Sequence, residues 1–191
     1  MTDDLASTLR AIVERLDRLR IPYMLVGSVA ALAHGRSRAT QDFDLVIEAD
    51  AKGVRALIAA LPSERFYASE DAAVDAVRHE TLFNVVDLET GWKVDFVPRK
   101  VRDFSRTEFA RRTQIELLGL RVFVASLEDT VIAKLEWSKL GGGSARQLED
   151  VRELVSLAGP RLDLEYLQEW IESLGLKQEW QAVHAGASTR G

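Results

Sequence analysis

The pattern of apolar residues changes at Ser126, and this change constrains the fold more than any other feature of the sequence. Before Ser126, short apolar runs alternate with segments of helical periodicity. After Ser126 the periodicity is helical throughout. This order predicts an α+β fold, in which a mixed sheet flanked by helices at residues 1–125 is followed by a C-terminal helical part at residues 126–191.

Six strands and nine helices are predicted from these patterns. The apolar runs predict strands at 23–26, 43–47, 82–88, 92–97, 115–118 and 121–124. Helical spacing predicts helices at 5–19, 29–35, 52–61, 71–79, 103–112, 127–140, 146–157, 164–174 and 179–183. Residues 36–40 are expected to form a polar loop, and the tail from residue 185 is expected to fray.

The composition narrows the possible chemistry. The chain of 191 residues has no cysteine, which excludes disulfides, zinc–thiolate sites and cysteine nucleophiles. Any metal ion must be held mainly by oxygen, which favours hard ions such as Mg²⁺. The net charge of -5 argues against sequence-independent binding to a long nucleic acid. We find no secretory signal and no apolar stretch near the roughly 20 residues that span a bilayer, so we predict a cytoplasmic protein without a membrane partner.

Gly27 and Ser28 lie between a predicted strand and a predicted helix. Glycine lets a ligand approach the backbone closely, and the N–H groups at a helix N-terminus attract phosphate oxygens. Ser28 is also a good helix-capping residue. The pair therefore predicts a phosphate-binding turn, with an ordinary helix start as the alternative.

Asp42 and Asp44 are two residues apart on a predicted strand, so their carboxylates point to the same side while Phe43 points to the other. Two neighbouring carboxylates repel each other unless a cation lies between them. The pair predicts a metal site, and two solvated acids at a strand entrance are the alternative.

Asp95 lies in the middle of the apolar strand Trp92 to Val97. A carboxylate at such a position costs free energy unless it is paired or bound to a metal ion. Its side chain is expected on the face opposite Trp92, Val94 and Phe96. The alternative to a metal role is an ion pair, with Lys93 as the candidate partner.

These three features together resemble the DNA polymerase beta-type nucleotidyltransferase superfamily. The segment GSVAALAHGRSRATQDFDLVIE contains the Gly-Ser pair and the Asp-x-Asp pair, and Asp95 follows on a later strand. The wider chain, over about residues 20 to 157, resembles the AbiEii-type branch of nucleotidyltransferase-like toxins. That resemblance rests on the segment from Ser126 to Asp129, on Lys134 in AKLEWSKL and on Asp150 in RQLEDV.

The resemblance implies a nucleotidyltransferase-like mixed sheet and an enzyme with two Mg²⁺ ions. Asp42 and Asp44 would be shared ligands of both ions, and Asp95 would be a ligand or the catalytic base. Gly27 and Ser28 would bind the β- and γ-phosphates. A nucleoside monophosphate would pass from a nucleoside triphosphate such as ATP to a hydroxyl of RNA (for example tRNA) or protein, in the manner of a toxin with a cognate antitoxin.

Four further residues are candidates for a place near the nucleotide. Lys134 is a candidate catalytic and phosphate-binding charge, although it also suits a surface lysine. The resemblance implies Asp150 beside that lysine in the active cleft, whereas a local ion pair with Arg146 is the simpler interpretation. Arg36 and Arg38 are candidate phosphate contacts in a loop that is equally suited to solvent.

Two other functions stay open at this stage. The nucleotide acceptor can be a small hydroxylated molecule, as in antibiotic-inactivating relatives. The chain can also be a catalytically inert module that only binds a nucleotide, although the intact Asp42, Asp44 and Asp95 argue against this.

Overall fold

The computed structural model describes residues 2–36 and 42–185, which form two compact units. Within the described residues, the first unit contains 2–29 and 42–125, and the second contains 30–36 and 126–185. Residues 30–36 thus group with the C-terminal helices. The division into domains at residues 125 and 126 stays a prediction.

The first unit is built on a mixed sheet of seven strands. In chain order they are β1 (Tyr23–Val26), β2 (Asp42–Ile47), β3 (Phe66–Ala68), β4 (Phe83–Asp87), β5 (Lys93–Pro98), β6 (Thr113–Leu117) and β7 (Leu120–Val124). Their order across the sheet is β3-β4-β5-β2-β1-β7-β6. The pairs β1–β7 and β2–β5 are parallel, and the other four pairs are antiparallel.

Helices accompany the sheet and form all of the regular structure between β7 and residue 185. The first five are α1 (Thr2–Leu19), α2 (Gly27–Ala33), α3 (Ala51–Ala60), α4 (Glu70–His79) and α5 (Asp103–Arg111). The C-terminal ones are α6 (Leu127–Leu140), α7 (Ala145–Ala158), α8 (Leu164–Ser173) and α9 (Lys177–Ala185), with a 3-10 turn at Gly159–Arg161. The division between the two units falls within α2.

The central strands β2 and β5 have one apolar face and one partly polar face. Phe43 and Leu45 of β2, and Val94 and Phe96 of β5, are fully buried. Residues alternating with them are less buried, as expected when successive side chains point to opposite faces of a strand. The predicted alternation is confirmed, and it leaves the side chains of Asp42, Asp44, Lys93 and Asp95 on the other face.

The partly polar face is covered by apolar side chains near the carboxyl ends of β2 and β5. There Met24, Val46, Phe109 and Ala125 form a small apolar cluster, and Val97 packs against it. Since Phe109 belongs to α5, this helix covers the carboxyl ends of β2 and β5. The acidic residues at the start of β2 lie outside this apolar cover.

The second unit is held together by α6 and α7, which contact each other more extensively than any other pair of helices described and which both contact α9. Ser126 caps α6, because its Oγ accepts a hydrogen bond from the Asp129 N–H at 3.1 Å. The fully buried side chains include Val131, Ile132, Leu135, Val151, Leu154 and Leu167. The predicted helical character of this region is confirmed.

The predicted α+β fold class is confirmed, and the strand β3 is the main element that we did not predict. It has only three residues, and its exposed central residue Tyr67 is aromatic like the buried Phe66, so the sequence shows no alternation of polar and apolar side chains there. The predicted loop beyond Arg36, including Arg38, and the tail beyond Ala185 lie outside the described residues. Among the helices that are described, none is both long and apolar enough to cross a membrane.

Candidate functional site

The register of the parallel strands β2 and β5 brings the predicted acidic residues together. Asp44 pairs with Asp95, and Asp42 pairs with Lys93, in Cα register. Residues directly opposite each other on neighbouring strands point to the same face, and so do residues two apart on one strand. The four side chains therefore form one patch, which we call the acidic face: Asp42, Asp44, Lys93 and Asp95.

Gly27 lies directly against this acidic face. It follows β1, whose last residue, Val26, pairs with Asp44. Its φ of +64° is in the left-handed region, and a Cβ built on it would come within 2.1 Å of Asp44 Oδ2. Both the conformation and the space require glycine at this position. The group that lies against Gly27 is the Asp44 carboxylate, and the predicted approach of a phosphate stays a prediction.

Ser28 is half-buried in the first turn of α2. We expected Ser28 as the residue that caps this helix. The helix begins at Gly27, so Ser28 lies inside the first turn rather than before it. Its predicted contact with triphosphate remains a prediction.

Each carboxylate oxygen of Asp95 has a side-chain partner, one from β5 itself and one from the neighbouring strand β4. Lys93 Nζ lies 3.0 Å from Asp95 Oδ2, and Asn84 Nδ2 donates a hydrogen bond to Asp95 Oδ1 at 2.5 Å. Asn84 is the register partner of Asp95 on β4. The ion pair that we considered as an alternative to a metal role is thus present, at a place adjacent to Asp44.

Lys93 carries the positive charge of the acidic face. Its hydrogen bond to Asp95 and its attraction to Asp95, Asp42 and Asp44 raise the pKa of Lys93 above its ordinary value, and these effects outweigh the opposing desolvation. The lysine is therefore protonated at neutral pH. Its positive charge offsets part of the repulsion among the three carboxylates.

The donor set of the acidic face suits a hard divalent cation. Three carboxylates on neighbouring strands supply the oxygen ligands that Mg²⁺ prefers, and Gly27 removes the side chain that would crowd Asp44. In the conformation described, no three His, Cys, Asp or Glu side chains within residues 2–36 and 42–185 are grouped to hold a metal ion. The metal role of Asp42, Asp44 and Asp95 stays a prediction.

The remaining predicted residues meet in the second unit, in a buried charge network. Asp150 is 1% exposed; its Oδ2 accepts a hydrogen bond from Lys134 Nζ at 2.6 Å, and its Oδ1 forms an ion pair with Arg36 Nη2 at 2.6 Å. Arg36 Nε also lies 2.5 Å from Glu153 Oε2. Lys134 donates to Gln147 Oε1 at 3.3 Å.

This network decides between several alternatives left open by the sequence. Lys134 is buried, not a surface lysine, and Arg36 is buried, not solvated. The partners of Asp150 are Lys134 and Arg36, not the predicted local partner Arg146. The pairing of Lys134 with Asp150, which the AbiEii-type resemblance implied, is present.

Asn84, Gln147 and Glu153 are contacts that sequence reasoning missed. Asn84 lies between the buried residues Phe83 and Val85, and an isolated amide in an apolar strand is a signal for a polar partner on that face. Gln147 and Glu153 are each three residues from Asp150, so helical spacing places all three on one side of α7. Their partners on other segments were not predictable from that spacing.

Residues 3–183 match the family described as "Nucleotidyltransferase of unknown function (DUF6036)". The chain belongs to this family. The predicted assignment to the nucleotidyltransferases, and to an enzyme class that transfers nucleotides, is thereby confirmed. No curated protein matches the sequence.

Solved structures of other proteins share the fold at low sequence identity. The antibiotic-resistance factor ANT(2'')-Ia is 17% identical, with a TM-score of 0.56 over 96% of this chain and 100% of its own. An antigenic nucleotidyltransferase-like protein from Paracoccidioides brasiliensis is 20% identical, with a TM-score of 0.54 over 95% of this chain and 92% of its own.

A third similar structure is the lincosamide antibiotic adenylyltransferase LnuA with bound lincomycin. It is 14% identical, with a TM-score of 0.54 over 78% of this chain and 95% of its own. ANT(2'')-Ia is also known in complex with adenylyl-2''-tobramycin. These similarities establish the nucleotidyltransferase fold. They do not single out the AbiEii-type branch, which stays a prediction.

Proposed function

We propose that this protein transfers a nucleoside monophosphate from a nucleoside triphosphate such as ATP to a hydroxyl group, with release of pyrophosphate. The observation that carries the proposal is the register of β2 and β5, in which Asp44 is opposite Asp95 and Asp42 is on the same face. Three carboxylates on one face of the two central strands, beside a turn that requires glycine, suit metal-assisted phosphoryl chemistry.

Asp42 and Asp44 would hold two Mg²⁺ ions together with Asp95. When bound, the ions would neutralise charge on the triphosphate and make the attacking hydroxyl more acidic. Asp95 would orient the attacking group and receive its proton. The hydrogen bond from Asn84, which fixes one of the Asp95 oxygens, supports this role. This role is the predicted one of ligand or base.

The bond changes of the proposed reaction balance without a further reactant. The hydroxyl oxygen of the acceptor attacks the α-phosphorus, and the bond from that phosphorus to the α,β-bridging oxygen breaks. The hydroxyl proton passes to Asp95 and then to water, and the electron pair leaves with pyrophosphate. In the first unit, Ser28 and the Gly27 backbone are candidates for contact with phosphate. Lys134 and Arg36 of the second unit are paired with Asp150, and their phosphate contact stays a prediction.

A double substitution tests the acidic face. Asp42→Asn/Asp44→Asn should abolish Mg²⁺-dependent ATP binding in calorimetry and the release of pyrophosphate. The matched control is Asp71→Asn/Asp75→Asn, which removes the same charge from two exposed positions of α4. ATP binding that stays Mg²⁺-dependent in the first variant would refute the proposal.

A small hydroxylated molecule is the acceptor that the fold comparisons favour. ANT(2'')-Ia covers almost the whole of this chain, including the C-terminal helices, and it is known with adenylyl-2''-tobramycin. LnuA, with bound lincomycin, is a second antibiotic adenylyltransferase of this fold. The net charge of -5 also suits a small acceptor better than a long nucleic acid.

An RNA or protein hydroxyl is the second acceptor class, and it is the one that the AbiEii-type resemblance favours. The buried pairing of Lys134 with Asp150 supports this alternative. A toxin function, with a cognate antitoxin as partner, belongs to the same alternative because it requires a macromolecular target.

One labelling experiment separates the two acceptor classes. The protein is incubated with each α-³²P-labelled nucleoside triphosphate and either a panel of hydroxylated antibiotics or total RNA and protein. Label on a small molecule supports the first class, and label on RNA or protein supports the second. Triphosphate binding without label on any acceptor would favour an inert nucleotide-binding module.

A further inference from the structure

Lys93 and Asn84 engage the two oxygens of Asp95 in different ways. Lys93 Nζ lies 3.0 Å from Oδ2, and Asn84 Nδ2 donates to Oδ1 at 2.5 Å. The first partner is positively charged and the second is neutral. Asp95 is therefore held by one ion pair and one amide hydrogen bond, and its side chain is only 13% exposed.

An arriving divalent cation would act differently on these two partners. The neutral amide of Asn84 can keep its hydrogen bond, because each carboxylate oxygen has two lone pairs. The ammonium of Lys93 is repelled by a second positive charge at the same carboxylate. Its side chain is 42% exposed and stands on a flexible stem, so the ammonium can move into water.

Lys93 also stabilises the acidic face before a cation arrives. It is the register partner of Asp42, and it lies two residues from Asp95, which pairs with Asp44. Without a positive charge, the three carboxylates would repel one another. The positive charge of Lys93 lowers this repulsion and allows the Asp95 carboxylate to stay beside Asp42 and Asp44.

We propose that Lys93 is an internal counter-ion of the acidic face, which a divalent cation must displace and which therefore limits the affinity for that cation. This inference rests on the proposed function, since it assumes that Asp42, Asp44 and Asp95 bind the metal. Lys93 acts through Asp95, as a positioning residue, and not on the substrate.

The test measures Mn²⁺ binding to the full chain without nucleotide, from the electron paramagnetic resonance signal of free Mn²⁺. Lys93→Met keeps the length of the side chain and removes the charge, so it should tighten Mn²⁺ binding by several-fold to about tenfold. Lys93→Arg keeps the charge and should bind Mn²⁺ as the wild type does.

Lys177→Met is the matched control. Lys177 pairs with Glu172 at 2.8 Å and is 64% exposed, so the variant loses an ion pair and one positive charge elsewhere in the chain. Its Mn²⁺ affinity should equal that of the wild type. Equal tightening in Lys177→Met and Lys93→Met would assign the effect to net charge and overturn the inference.

The inference is also overturned if Lys93→Met binds Mn²⁺ as the wild type does, or more weakly. It is likewise overturned if neither protein binds Mn²⁺. If circular dichroism shows that Lys93→Met is unfolded, Lys93→Gln provides the same loss of charge. The variant Asp44→Asn shows whether the proposed function, rather than the role of Lys93, has failed. If Mn²⁺ binding by the wild type survives this substitution, the acidic face is not the metal site.

Discussion

The carboxylate oxygen Oδ2 of Asp44 lies 2.1 Å from the point that a Cβ atom on Gly27 would occupy. No pair of non-bonded heavy atoms tolerates such a distance, so residue 27 can only be glycine while Asp44 keeps this position. The contact links the turn after β1 to the acidic face. It also makes Gly27 a position at which stability and metal binding can be tested together.

Gly27→Ala should destabilise the protein and weaken metal-dependent ATP binding, because the new methyl group displaces the Asp44 carboxylate. The cost has two parts, the strain of a positive φ and the collision. Gly119→Ala isolates the first part, since Gly119 has a φ of +72° and no atom within 4 Å of the added Cβ.

We expect Gly27→Ala to lose roughly 1–3 kcal/mol more than Gly119→Ala in urea unfolding, which is the usual cost of overpacking. ATP binding in calorimetry should fall for Gly27→Ala only. Equal losses of stability in the two variants would mean that Asp44 moves away at no cost.

Asp95→Asn should lower turnover by about two to four orders of magnitude, as the loss of a general base does, while ATP affinity changes little. The effect on stability should be small, about 0–1 kcal/mol, because its ion-pair partner Lys93 is partly exposed and can turn to water. Pyrophosphate release and thermal unfolding measure the two effects. A large loss of stability with normal turnover would make Asp95 a purely structural residue.

Asp150→Asn should destabilise the protein by about 3–5 kcal/mol, because it leaves the buried charges of Lys134 and Arg36 without their common partner. Glu153→Gln is the matched control. It removes another partner of Arg36, but the Glu153 side chain is 52% exposed, so the expected cost is about 0–1 kcal/mol. Urea unfolding of both variants at pH 7 checks the difference, and similar costs would contradict it.

Asp87 is expected to make stability depend on acid pH. It is fully buried, and burial raises its pKa, but hydrogen bonds from Arg65, Thr8 and the Glu89 N–H together with the Arg65 charge outweigh burial, so that the pKa of Asp87 lies below its ordinary value. The folded state thus favours the ionised carboxylate. Its contribution is present above the ordinary pKa of about 4 and is lost as the pH falls through the lower, folded value.

Asp87→Asn should therefore cost about 3 kcal/mol at pH 7 and progressively less as the pH falls below about 5. Urea unfolding across this range measures the change. The exposed residue Asp75 provides the control, since Asp75→Asn should keep the pH profile of the wild type. A constant difference between Asp87→Asn and the wild type would show that the carboxylate charge is not what stabilises this network.

The sequence by itself determined which face of each central strand is polar. The period of two in β2 and β5 places Asp42 with Asp44, and Lys93 with Asp95, because successive side chains of a strand alternate. The positions of Gly27 and Ser28 at a strand-to-helix turn could also be predicted, because the apolar patterns on either side of them are local. The short strand β3 could not be predicted, since it has only three residues and the exposed one, Tyr67, is aromatic rather than polar.

Only the tertiary structure decided which residues of distant segments lie next to each other. The pairing of Asp44 with Asp95 joins strands that are about fifty residues apart, and a shift of one residue would turn one carboxylate to the opposite face. The burial of Asp150 between Lys134 and Arg36 likewise joins three distant segments. Local spacing predicted Arg146 as its partner, because spacing reports neighbours on one helix and not the packing of helices.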